Sequence, residues 1–218
     1  MTAVPFAVKK LLDRIGGTRR ENPETPDSGY FSTMFLEREE ETPQLVPWAV
    51  RASQLQAKAI EPAEGAAKFA RAWNNDRHTV ALTEGELKRL TEYLSFVSMA
   101  PDREVIAQDE QGDYLLIVLE GTIAVDRVQP WGGRARLGEA RVGDLLGEMS
   151  LLDAGTRFSS CRTLTPCVVG VLEAQTLDRM MKHDPRLAAV LLAALARRLS
   201  LRLRQASARL SALLTSSN

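Results

Sequence analysis

The residues best placed to do chemistry lie between Gly147 and Ser160: Gly147-Glu148-Met149-Ser150-Leu151-Leu152-Asp153-Ala154-Gly155-Thr156-Arg157-Phe158-Ser159-Ser160. The pattern reads as a turn, a helix of one or two turns starting near Glu148, a tight turn at Gly155, and then a strand. The first amides of a helix have no intrahelical acceptor and face an anion favourably. Arg157 follows Gly147 by ten residues and lies just beyond that helix. A guanidinium there can grip two oxygens of a phosphate. Glu148 offers an acceptor for a sugar hydroxyl. Without a ligand, Glu148 and Arg157 could instead pair with each other.

The elements that must hold this stretch are short. Glu104 to Ala107, Tyr114 to Leu119, Thr122 to Asp126, Ala135 to Gly138, Ser160 to Thr163 and Val168 to Leu172 are strand-like runs. Gly112-Asp113, Glu120-Gly121 and Trp131-Gly132-Gly133 separate several of them, as turns do in a β-barrel or jelly roll. Thr83-Glu84-Gly85-Glu86 is a capping box, and the helix it opens carries Leu87, Leu90 and Leu94. From Leu187 the chain reads as helix, without a glycine or proline. Within it Ala196, Leu199, Leu203, Ala206, Leu210 and Leu213 follow a 3, 4, 3, 4, 3 spacing, a heptad seam that predicts a homodimer.

The preceding eighty residues are less regular. Phe6 to Ile15 has helical spacing and stops at Gly16-Gly17; Glu21 to Pro47 reads as a charged, proline-bearing linker, partly ordered around Tyr30, Phe31, Met34 and Phe35. Gln54 to Asn74 reads as mostly helical, broken at Pro62 and Gly65. The expected organisation is an N-terminal extension over 1–80, a β-barrel domain with its leading helix over 81–186, and a dimerisation helix over 187–218. The fold class is α+β: an antiparallel β-barrel or jelly roll flanked by helices.

Composition narrows the function. The 218 residues have zero formal net charge, with 44% hydrophobic and 26% charged residues. The total gives no reason to expect a polyanion partner, although six arginines follow Pro185 and no acidic residue follows Asp184. Cys161 and Cys167 are expected as buried thiols in a reducing compartment, and with two histidines in the chain no zinc site is expected. The start shows no signal peptide, and the longest apolar run, Leu187 to Ala196, is too short to span a bilayer. A cytoplasmic protein is expected. Neither a catalytic triad nor a Walker-type loop is present, so no enzyme is expected.

The cassette resembles the phosphate-binding cassette of the cyclic-nucleotide-binding domain family, the module found in the catabolite activator protein and the protein kinase A regulatory subunit. Tyr114 to Val125 resembles that family's strand-glycine-strand signature, and Val142-Gly143-Asp144-Leu145-Leu146-Gly147-Glu148 resembles its approach to the cassette. The resemblance covers roughly Thr83 to Leu214. It implies that Glu148 takes a ribose 2′-hydroxyl and Arg157 the cyclic phosphate, helped by backbone amides. One residue departs from the pattern: Phe158 stands where the family carries a small residue, and its ring could stack on a base or block one. Aligning the long helix on Asp184-Pro185 and Ala196-Arg197-Arg198-Leu199 puts Arg202 where an activator of this kind contacts the base. Arginine only donates, which favours guanine; the alternative is that Arg202 flanks the seam and faces water.

The resemblance thus implies ligand-binding residues Gly147, Glu148, Met149, Arg157, Phe158, Ser159 and Arg202, with cyclic AMP or cyclic GMP as ligand and cyclic di-GMP as a further candidate. Regulators of this family that bind DNA carry a helix-turn-helix after the dimer helix. This chain ends at Asn218, so that mode of DNA binding is not expected. The expected role is a bacterial stand-alone sensor acting on a protein partner. Its rivals are a degenerate domain that binds a partner without nucleotide, and a nucleic-acid binder using the C-terminal arginines.

Overall fold

The computed structural model describes residues 30–38, 45–76 and 79–215. The helix expected over Phe6 to Ile15 lies outside the described residues. In chain order the elements are α1 (Tyr30–Arg38), α2 (Trp48–Leu55), β1 (Lys58–Ala59), α3 (Pro62–Asn75), α4 (Glu84–Thr91), β2 (Ser95–Met99), β3 (Glu104–Ile106), β4 (Tyr114–Glu120), β5 (Ile123–Val128), β6 (Arg134–Ala140), β7 (Leu145–Leu146), α5 (Glu148–Asp153), β8 (Ser160–Thr163), β9 (Cys167–Glu173), α6 (Ala174–His183) and α7 (Pro185–Thr215).

The strands form two sheets, β1-β2-β9-β4-β7 and β3-β8-β5-β6, with every strand pair antiparallel. This is the antiparallel barrel flanked by helices that the short strand runs predict. Strand β4 shows how its sequence builds two cores. Tyr114, Leu116 and Val118 point between the sheets and join Ile123, Val169 and Val171. Leu115, Ile117 and Leu119 point the other way and join the helices. A strand buried on both faces must be apolar at every position, so its sequence runs Tyr-Leu-Leu-Ile-Val-Leu without alternation. At about 1.5–3 kcal/mol for each fully buried large side chain, this one strand is a principal source of stability.

The leading helix α4 starts with the expected capping box: the Glu86 amide donates to the Thr83 hydroxyl at 3.3 Å, and the Thr83 amide to the Glu86 carboxylate at 2.9 Å. Gly65 does not break a helix; it lies inside α3. A Cβ there would meet the Phe96 ring at 2.2 Å, so the glycine lets helix and sheet approach. Pro62, expected as a break, opens α3 at a position where no amide is needed.

The region around Tyr30 is ordered. Helix α1 lays Phe31 and Phe35 into the helical core. Its start is capped from far along the chain: the Asp178 carboxylate accepts from the Phe31 amide at 2.7 Å and the Ser32 amide at 2.8 Å. Among the described residues no helix is long and apolar enough to cross a membrane.

Candidate functional site

The cassette folds as a six-residue helix, α5, entered through Gly147 at φ 79° and left through Ala154 at φ 52°. The left-handed residue that ends the helix is therefore Ala154, not Gly155. The Gly155 amide is instead taken by the Asp153 side chain at 2.8 Å.

Arg157 follows, and its side chain is 1% exposed. Its Nη1 donates to the Gly147 carbonyl at 2.8 Å and its Nη2 to the Tyr114 carbonyl at 2.7 Å. The Tyr114 ring lies 4.5 Å from the guanidinium carbon. A Cβ at Gly147 would lie 2.3 Å from Nη1, and one at Gly112 2.6 Å from Nη2, so both glycines clear space for the cation. Among the described residues its Nε has no hydrogen-bond partner. Burial pulls the guanidinium below its ordinary value, against nearby Tyr114, Glu110 and Cys161, but an arginine starts far above neutral pH and keeps its charge. Among the described residues, its hydrogen bonds go to carbonyl oxygens and not to a carboxylate. A buried cation with only neutral partners is costly and attracts an anion.

Glu148 is 3% exposed, and its carboxylate accepts from Nη1 of Arg202 on the long helix α7. Arg202 Nη2 donates to the Leu145 carbonyl at 2.8 Å. The Glu148–Arg157 pairing that the sequence leaves open is not formed: each group has found a different partner. Arg202 therefore points at the cassette and bridges it to α7.

A cavity of about 740 Å3 opens between the barrel and α7. Gly147, Glu148, Met149, Arg157, Phe158, Ser159 and Arg202 all line it. The structure thus brings the whole expected set to one place. Leu199, Leu203, Ala206 and Arg209 of α7 complete the far wall. Phe158 stands at the mouth, 53% exposed, with the Arg127 guanidinium 4.1 Å from its ring centroid. Arg127 also donates to the Phe158 carbonyl. Cys161 lies in the cavity wall, its thiol pushed up to about 12 by burial. Both cysteines are free and buried.

Several residues that shape the site carry no local signal. Tyr114 and Gly112 read as strand and turn, yet they enclose Arg157. Arg198 reads as one of a run of basic residues. It pairs with Asp76 at the end of α3 and donates to the Gly143 carbonyl, so it lashes α7 to the body. With Arg202 on Glu148 and Arg186 on Glu86 at 3.2 Å, three of the six C-terminal arginines are neutralised from elsewhere in the chain. Beyond them Leu203, Leu210 and Leu213 of the seam are exposed.

Residues 96–184 match the family model of the cyclic nucleotide-binding domain. Over 110 residues, half of this chain, the sequence is 33% identical to a CRP-like cAMP-activated global transcriptional regulator of Mycobacterium tuberculosis. The match takes in 49% of that relative, so the chain spans about half the length of the relatives it matches. A cyclic nucleotide-binding domain from Methylobacillus flagellatus has a similar fold, with a TM-score of 0.64 at 24% identity, over 70% of this chain and 85% of that one. The catabolite activator protein of Thermus thermophilus aligns with a TM-score of 0.54 at 28% identity, over 61% of each chain.

Proposed function

We propose, from a cyclic-nucleotide-binding fold whose residues 96–184 match that domain's family model, that this chain is a bacterial sensor whose cavity takes a cyclic nucleotide and whose occupancy is passed to a protein partner. The observation that carries this reading is Arg157: a buried cation at the wall of a 740 Å3 cavity, held only by carbonyls. A cyclic phosphate carries one negative charge and matches that need. Glu148 accepts the ribose 2′-hydroxyl once Arg202 gives way, and Phe158 and Met149 offer apolar surface to the base.

The ligand changes shape preferences through α7. Arg202 ties the cassette to α7, so a nucleotide that takes Glu148 must exchange that contact for its own. This is a population shift between two placements of α7. The seam beyond Leu199 supports a homodimer in which two copies of α7 cover each other's exposed leucines. Among bases, the donors of Arg202 match guanine O6 and N7. Cyclic AMP, cyclic GMP and cyclic di-GMP are accordingly the ligands to compare, and a thermal-shift titration with each is the test. A rise in melting temperature with any of them supports the reading. No shift with all three removes it.

One second reading has an observation of its own. Arg202 already occupies Glu148 and Phe158 stands at the mouth, which favours a domain that engages its partner without nucleotide. The same titration separates the two. The third reading, a nucleic-acid binder, loses support because Arg186, Arg198 and Arg202 are paired.

A further inference from the structure

The segment that splints Arg157 from behind lies outside the residues matched by the family model. Residues Leu45 to Leu55 precede that match, which begins at residue 96. They pack along the loop of residues 109–114, and this loop is what holds Arg157. The loop's grip is extensive. The Arg157 amide donates to the Glu110 carbonyl at 2.7 Å, and its carbonyl accepts from the Asp109 amide at 2.9 Å. Nη2 donates to the Tyr114 carbonyl at 2.7 Å. Gln111 Nε2 donates to the Ala154 carbonyl at 3.1 Å, fixing the turn before Arg157.

The outer segment grips the same loop at successive points. Leu45 bridges Gln111 in parallel register, and the Val46 amide donates to the Gln111 carbonyl at 2.9 Å. Arg51 pairs with the Glu110 carboxylate, and both side chains are largely buried. Burial acts to lower the Arg51 pKa, but Glu110 and the Tyr114 hydroxyl outweigh it and raise it. The Trp48 ring meets the Tyr114 ring edge-on with centroids 5.1 Å apart. The same Tyr114 ring contacts Arg157, whose guanidinium carbon lies 4.5 Å from its centroid. Tyr114 thus touches both Trp48, buried in the same core cluster, and the cavity's cation Arg157.

We propose that Trp48 and Arg51 are positioning residues for the anion site: they fix Glu110 and Tyr114, whose carbonyls fix Arg157. The added segment is then part of the binding machinery, and pulling it away loosens the cavity's cation. An arginine shared among neutral carbonyls has no ion-pair partner to hold it in place. Its aim depends on how rigidly those carbonyls are set, so a splint on the loop has leverage there. The effect on affinity rests on the nucleotide reading above; the effect on Arg157 does not.

The test uses the full chain with Arg51→Met and Glu110→Gln, the second keeping an oxygen for the Ala107 amide that donates to Glu110 at 3.1 Å. Amide hydrogen exchange by NMR reads the Arg157 amide directly. The expected result is at least roughly tenfold faster exchange at Arg157 in both variants, with the Val169 amide in the barrel centre unchanged. A merely structural role would accelerate both sites together. Calorimetry with cyclic AMP and cyclic GMP is the second readout: affinity falls in each variant, and adding either change to Arg157→Lys brings no further loss. Unchanged exchange at Arg157, or equal acceleration at Val169, overturns the proposal whether or not any nucleotide binds. A wild-type protein that binds no nucleotide overturns the functional reading alone.

Discussion

The two walls of the cavity hold their arginines in different ways. On the barrel wall, Arg157 is buried, splinted by backbone carbonyls from two sides, and flanked by Gly112 and Gly147, whose missing Cβ atoms make room for it. On the helix wall, Arg202 is half exposed and held by a carboxylate and one carbonyl. The first arrangement is preorganised: its geometry comes from strands and a loop that the core already fixes. The second is a side-chain latch that solvent can compete for and a ligand can replace. The proposed sensor would use both, a fixed point for the phosphate and a movable one to report that something has bound. The contrast also separates stability from response, since changes at Arg157 disturb the barrel and changes at Arg202 should not.

Breaking the fixed wall has the largest expected effect. Arg157→Ala takes the side-chain donor from the buried Tyr114 carbonyl, at about 1–3 kcal/mol, and one of two donors from the Gly147 carbonyl, which keeps the Leu151 amide at 3.2 Å, so it lowers stability as well as abolishing binding. Arg157→Lys is the cleaner change. It keeps the charge but cannot span both carbonyls, and nucleotide affinity should fall on the order of 100-fold, because a charge-assisted hydrogen bond is worth about 1.5–3 kcal/mol. Denaturant melts and calorimetry on both variants check this. Equal loss of stability with full retention of affinity would put the phosphate elsewhere.

The seam comes next. Replacing Leu203 and Leu210 with Glu places like charges face to face in a dimer, yet each side chain is more than half exposed within one chain. The double variant should be monomeric by light scattering with an unchanged melt of the barrel. A dimer that persists would move the interface off α7.

Changes on the movable wall should be smaller. Arg202→Thr frees Glu148 for a ribose hydroxyl and removes the donors suited to guanine. The ratio of ribo- to 2′-deoxy-ligand affinity should rise by roughly fivefold, about the net value of one hydrogen bond at ~1 kcal/mol. Preference should shift from cyclic GMP toward cyclic AMP. Titrations showing neither change would make Arg202 a bystander to recognition.

The smallest effect concerns Cys161. Its thiol is pushed up to about 12 by burial. It should resist thiol reagents at pH 8 in the folded protein. The unfolded chain loses this proton first as pH rises, so the stability it contributes is present below about pH 9 and declines from there toward pH 12. Thiol labelling and melts across that range test both statements.

How much of this was legible depends on where each partner lies in the chain. The strand-glycine-strand run, the capping box and the cassette are local patterns, and each appears where its residues indicate. Helix α6 was missed because Ala174 follows β9 with no glycine or proline between them. Gly65 was misread because the reason for it, the Phe96 ring, lies thirty-one residues on. The order in α1 depends on Asp178, separated by 147 residues from Phe31. Three of the six C-terminal arginines find partners that the local sequence does not show, because Asp76, Glu86 and Glu148 all lie outside that stretch. The cassette showed where a phosphate would go, but nothing local showed that Trp48 and Arg51 stand behind it or that Arg202 would claim Glu148.

The central claim is that the cavity beside Arg157 takes a cyclic nucleotide. Isothermal calorimetry of the full chain with cyclic AMP and with cyclic GMP, run beside Arg157→Lys, tests it most directly. The account predicts saturable binding of at least one nucleotide at one site per chain, weakened on the order of 100-fold in Arg157→Lys. Absence of binding by both nucleotides to a folded wild-type protein, or binding that survives Arg157→Lys unchanged, would contradict it.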